Sequence, residues 1–331
     1  MTRFRLAFCL VSLVAFAAAL AARPAAAEDP VKPAPVEPVK GERRVWDGGG
    51  GDSKWATPAN WTGDVVPLPE DDAVFDATSP KDCSIDAPMT VHHLVVTPEY
   101  KGTLRILSPA TVTGSLTLAG KLEMKFDPRK VFSVAGPAID CSCLREAKVA
   151  FAQGAITLAA TEGTQRLVPP ADAAVVLPEI KKTKGGTLQV AGPLNTIALY
   201  VEPGATTDLA GNNVTAKLLG IGGLVQGLGG CTITVTGAVG YTNNGFGFLR
   251  GVKSKETLDL APEKPWTLLV KPETKWLADK GTGPFTIYSA KVGNCNAAGG
   301  EEVRAEKSSD AGGNKNVLFV ADPPAPVKPA G

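Results

Sequence analysis

The chain has 331 residues, with 34 Lys and Arg against 33 Asp and Glu and a net charge of +1. Balanced, interspersed charge argues against the basic footprint of a nucleic-acid-binding surface and gives no reason for an anionic membrane partner. With 36 glycines and 27 prolines, few windows suit a helix, because glycine costs backbone entropy and proline removes a donor.

Residues 1–27 carry Arg3 and Arg5, an apolar run from Leu6 to Leu20, and an Ala25-Ala26-Ala27 ending. That is the pattern of a secretory signal peptide cut before Glu28. The expected address is secreted, either extracellular or at the cell surface, with the periplasm as an alternative. Loss of Arg3, Arg5 and Arg23 moves the net charge from +1 to −2. No later stretch reaches the roughly 18 apolar residues of a membrane span, so no transmembrane segment is expected. Residues 28–44, with Pro30, Pro33, Pro35 and Pro38, read as an extended, solvated linker. Residues 321–331, with Pro323, Pro324, Pro326 and Pro329, read as a disordered tail of the same kind.

Residues 45–82 form a distinct opening. Trp46, Trp55 and Trp61 lie around the Gly48–Gly51 run, Pro58 and Asn60. Spacing broken by Pro58 makes this a folded loop rather than a strand. Large indoles in a loop bury their faces and keep the N–H for a hydrogen bond, so they can cap the end of a hydrophobic core. The same three side chains are also a candidate platform for a sugar ring. The acidic turn offers Asp71 and Asp72, which with Asp52 are candidate Ca²⁺ ligands, since that ion favours several oxygens. No other cofactor is expected.

From residue 83 onward a period of two dominates. Within Thr111–Leu118, Val112, Leu116 and Leu118 share one face and the threonines the other. Leu122 with Met124, Ile156 with Leu158, Leu188 with Val190, and Ile233 with Val235 repeat the half-buried strand pattern. Strand candidates recur with Gly, Pro or Asn between them, as in all-β folds. Residues 185–245 have the strongest repeat character and suit stacked rungs, each burying its apolar side only against the next. The fold expected is all-β: a single β-solenoid over residues 45–320, right-handed and parallel-β-helix-like, with the Trp-rich cap at 45–82. Residues 264–320 are expected to close it as antiparallel strands. Alternation alone leaves a β-sandwich as the alternative.

Five cysteines follow residue 27: Cys83, Cys141, Cys143, Cys231 and Cys295. An odd number allows at most two disulfides and a free thiol. On a strand, Cys141 and Cys143 would face the same way. The only histidines, His92 and His93, are adjacent on a predicted strand and so point to opposite faces. That argues against either in a Ser-His-Asp site. Carboxylate pairs drawn from neighbouring rungs could cleave glycosidic bonds, but one sequence does not reveal them.

The run Trp46…Gly51-Asp52…Trp55…Asn60-Trp61…Pro67…Asp71-Asp72…Val74-Phe75-Asp76 resembles the N-terminal signature of a group of bacterial secreted surface proteins. These are similar in style to autotransporter-associated β-strand repeat proteins. The resemblance continues through Cys83-Ser84-Ile85-Asp86 and Tyr100-Lys101-Gly102-Thr103-Leu104. A closing D-x-G-G-N…F pattern is similar to Asp310-Ala311-Gly312-Gly313-Asn314 before Phe319, although Asn316-Val317 stands where an aromatic pair is expected. A weaker similarity is to the eight-glycine domain. The resemblance implies a β-solenoid and fixes fold better than function. The leading functional expectation is a secreted, non-catalytic structural or adhesive β-repeat protein of the cell surface. Its partner would be an extracellular or cell-surface polysaccharide or protein. The alternative is a polysaccharide-binding module or a polysaccharide-active glycosidase or lyase on the same scaffold. Catalytic residues are not identifiable from the sequence.

Overall fold

Alternation drives the architecture. In Thr103–Ile106, Leu104 and Ile106 are buried while Thr103 and Arg105 are half-buried, and Thr187–Val190 and Thr232–Val235 repeat that pattern. A short strand with one apolar face buries it only against other strands. The chain therefore coils, and successive apolar faces converge on a common interior. A computed structural model describes residues 41–124, 131–149, 154–183, 185–236, 247–250, 258–270 and 285–320. All of these belong to one unit spanning residues 40–331. The signal peptide, the proline-rich tail and residues 28–40 of the linker lie outside the described residues. The linker's expected end needs correcting, because Arg43–Val45 is already a strand, paired with Asp72–Phe75.

The fold is an all-β solenoid. Among the described residues every ladder between strands is parallel, and the one antiparallel contact is the isolated bridge Trp46–Trp61. No α-helix occurs among them, only a 3-10 turn at Pro58–Asn60. No helix is long and apolar enough to cross a membrane. One turn of the coil runs Asp72–Phe75, Cys83–Ile85, Met89–Val91; the next strand, His93–Val96, then lies on Asp72–Phe75. Strands of like position stack into a nine-stranded, a four-stranded, a 14-stranded and a three-stranded sheet. The eight-residue strands Leu194–Val201 and Val214–Ile221 span a corner, so two faces of the coil share the 14-stranded sheet. Turn length varies. Asp72 pairs with His93, Ala138 with Arg166 and Thr206 with Leu224, which are 21, 28 and 18 residues apart. That spread is why no fixed period is visible in the sequence.

Three expectations about the chain change. Thr111–Leu118 is not one strand but Ala110–Val112 and Leu116–Thr117 on two faces, joined at a corner containing Gly114. Inward and outward positions keep their alternation across that corner, so the pattern alone could not show it. The C-terminal strands are not antiparallel closing strands. Thr286–Tyr288, Val303–Glu306 and Val317–Val320 pair in parallel and continue the coil. The five cysteines of the described residues are free thiols: Cys83, Cys141, Cys231 and Cys295 are buried, and Cys143 is exposed. Cys141 and Cys143 do not share a face, because residues 142 and 143 form a turn rather than a strand.

Candidate functional site

The three indoles come first, because the sequence offered them as a ligand platform. Trp46, Trp55 and Trp61 are 0%, 2% and 0% exposed. Trp61 meets Trp46 edge-on at 5.3 Å and Trp55 at 4.6 Å, and all three surround Phe75. Their polar edges are bonded inward: Trp61 Nε1 donates to the Trp55 carbonyl (2.8 Å) and Trp46 Nε1 to the Lys81 carbonyl (3.1 Å). No indole face is open to a sugar, so the platform expectation is corrected: these rings plug the N-terminal end of the core. Asn60, also fully buried, holds the loop above them by donating to Asp52 and the Lys54 carbonyl and accepting from the Gly50 N–H.

The expected calcium ligands do not converge. Asp52 accepts from the Lys54 N–H, Thr57 and Asn60, and these bonds hold its carboxyl below the usual range. Asp71 is buried. Burial alone would raise its pKa, but the Leu68 and Glu42 N–H groups and the Arg44 guanidinium prevail and lower it. Asp71 therefore serves as a structural cap with its oxygens committed. Asp72 turns away toward the histidines, as described below. The calcium grouping fails because the Asp52 and Asp71 oxygens are committed to these hydrogen bonds, while Asp72 groups with His92 and His93.

The described surface offers another site, a lateral groove of about 370 Å³ on the outer side of the 14-stranded sheet. Parallel register puts Lys181 beside Tyr200 and Tyr200 beside Gly220, on three successive turns. Lys182 and Ile221 are buried, whereas Lys181 and Tyr200 are half-buried, so Lys181 and Tyr200 share the outward face. Gly220, without a side chain, lines the groove beside Tyr200. Ala198 and Leu218, packed with Ile197 and Tyr200 in a small cluster of their own, support that ring from below. Glu179 and Glu202 complete the walls. Lys181 pairs with Glu202 at 3.1 Å, both side chains about two-fifths exposed. Burial raises the Glu179 pKa, and the nearby Lys181 ammonium only partly opposes it. The result is an aromatic ring flanked by two carboxyls and an ammonium in an open, mostly apolar trough. Such a mixture of an apolar wall and a few polar groups is the usual make-up of a small-ligand site.

Sequence reasoning missed this groove. Glu179, Tyr200 and Gly220 come from different turns, and the varying turn length hides their alignment. The one legible signal is Tyr200 at an outward position within the apolar run Ile197–Val201.

The second cluster is Asp72, His92 and His93, whose potential ligand atoms lie within 4.8 Å of one another. This corrects the expectation that the two imidazoles point to opposite faces. The strand begins at His93, and His92 occupies the one-residue bend before it. The rings lie against each other, 4.0 Å between centroids and tilted by 52°. No family model matches this chain, nor does any curated protein or solved structure. The functional reading therefore rests on these residues.

Proposed function

We propose that this chain is a secreted, non-catalytic adhesive element of the cell surface whose β-solenoid holds an extended polysaccharide in the lateral groove. The observation that carries this reading is the Tyr200 ring beside Gly220, flanked by Glu179, Lys181 and Glu202. A hexose buries its apolar face on an aromatic ring. Its hydroxyls then find acceptors in the carboxylates and a donor in the lysine. The groove lies on a sheet of stacked strands, a rigid support that limits the ordering cost of binding. The secreted address rests on the signal-peptide pattern of residues 1–27.

One observation favours a second reading, a polysaccharide-cleaving enzyme. Glu179 is pushed toward the protonated form by burial, with the Glu202 carboxylate on the next turn of the same groove. Two carboxyl groups lining one groove are the residue types that glycoside hydrolysis uses.

One experiment separates the two. The protein is passed over a panel of insoluble and soluble polysaccharides, and both retention and new reducing ends are measured. Retention without release, abolished by Tyr200→Ala, is the expected result. Release of ends that stops in Glu179→Gln would favour the enzyme. Retention unchanged in Tyr200→Ala would remove the groove from the account.

A further inference from the structure

The geometry points to a binding site for a borderline transition-metal ion of the Zn²⁺ class at Asp72, His92 and His93, clamping two successive turns of the solenoid. This inference is independent of the groove.

Register brings the three residues together. Asp72 is the direct strand partner of His93 on the next turn, and the His92 N–H donates to the Asp71 carbonyl at 2.9 Å. Asp72 Oδ1 lies 3.4 Å from His92 Nδ1. That oxygen is itself buried and has no hydrogen-bond partner, although the residue is half-buried overall. A buried carboxylate oxygen without a donor is costly, and among the described residues His92 is its one basic neighbour at ion-pair distance. Zn–N and Zn–O bonds of about 2.0–2.1 Å at a tetrahedral angle put two ligand atoms about 3.4 Å apart. The Asp72–His92 separation is thus long for a hydrogen bond and right for one edge of a metal tetrahedron.

His93 supplies the third side. Its Nδ1 accepts the Ser115 N–H at 2.7 Å, which holds the ring beside His92 in the ion-free state. Coordination through Nδ1 uses the lone pair that accepts this bond, and coordination through Nε2 moves the ring proton to Nδ1, so in either case the ion competes with a backbone amide for His93. Ser115 is half-buried, and its N–H can turn to water when released. Water fills the remaining position on the ion, because His92 and Asp72 have side chains 50% and 41% exposed. Two imidazoles and one carboxylate suit zinc, nickel or copper and not calcium, which takes six to eight oxygens.

The test uses the full chain without a histidine tag and with Cys143→Ser, so that the exposed thiol does not bind the ion. Zn²⁺ and, separately, Ca²⁺ are titrated by calorimetry, and thermal unfolding is followed with and without Zn²⁺. One Zn²⁺ per chain and a raised melting temperature are expected, with no response to Ca²⁺. His92→Ala and Asp72→Asn should abolish both effects while leaving the metal-free melting temperature unchanged. His93→Asn keeps an acceptor for the Ser115 N–H but loses the imidazole, and should weaken binding by more than the roughly 100-fold upper cost of disturbing an outer partner. No zinc binding, binding that survives His92→Ala or Asp72→Asn, equal affinity in His93→Asn, or a preference for Ca²⁺ would each overturn the site.

Discussion

Replacing Trp61 by alanine tests whether the N-terminal indoles are a plug or a platform. Trp61 is 0% exposed, touches Trp46, Trp55 and Phe75, and its Nε1 satisfies the Trp55 carbonyl. A buried Trp→Ala change costs about 3–5 kcal/mol through lost contacts and the cavity left behind. Against a typical total of roughly 5–15 kcal/mol, that is a large share. Trp61→Phe keeps most of the ring but leaves the Trp55 carbonyl unbonded, so its cost is set by that group, about 1–3 kcal/mol. Solenoid turns are stabilised mainly by their neighbours, so the damage should be local. Urea unfolding would measure the total, and amide hydrogen exchange its distribution. Protection at Asp72–Phe75, Cys83–Ile85 and His93–Val96 should fall first, while Val303–Glu306 keeps its own. A Trp61→Ala change in stability below about 0.5 kcal/mol, the range of ordinary surface substitutions, would refute the plug.

Gly136 stacks on Gly114 at a corner of the coil, where an added Cβ would lie 1.9 Å from the Gly114 carbonyl oxygen. Gly136→Ala should therefore cost at least the roughly 1–3 kcal/mol of overpacking in a denaturation midpoint, whereas Gly51→Ala, with nothing within 4 Å, should be neutral. Lys182 is fully buried and donates to the Ala160 carbonyl, and burial lowers its pKa below 10.5. The unfolded chain then holds that proton more tightly than the folded one. Stability should rise as pH climbs from the lowered folded value toward the unfolded value, and Lys182→Met should remove this slope and be the more stable protein at neutral pH. In native protein beginning at residue 28, a maleimide reagent should label Cys143 alone. Cys83, Cys141, Cys231 and Cys295 are buried, with the Cys141 and Cys295 thiols pushed up to about 12; full reaction of all five before unfolding would contradict the packing.

The fold was legible because burial in a solenoid follows the period-two rule strand by strand. Leu104 with Ile106 and Leu188 with Val190 declare their inward face without knowledge of their neighbours. What the alternation lacks is direction. Thr111–Leu118 alternates straight through a corner, and the C-terminal strands alternate equally well whether parallel or antiparallel. The site was hidden for a related reason. Tyr200 meets Gly220, and Asp72 meets His93, only through register between turns of unequal length. His92 misled because a single bend residue ahead of the strand cancels the expected opposition of adjacent side chains. The indoles gave away their position through residue type but not their exposure, which depended on Phe75 and Tyr100 arriving from the following turns.

Hydrogen-exchange footprinting with a retained polysaccharide tests the central claim most directly. Added ligand should slow exchange in Glu179–Lys182 and around Tyr200 to Pro203, the segments that wall the groove, and leave residues 46–61 unchanged. Slowing confined to residues 46–61, or spread evenly along the solenoid, would contradict the assignment of the lateral groove as the binding surface.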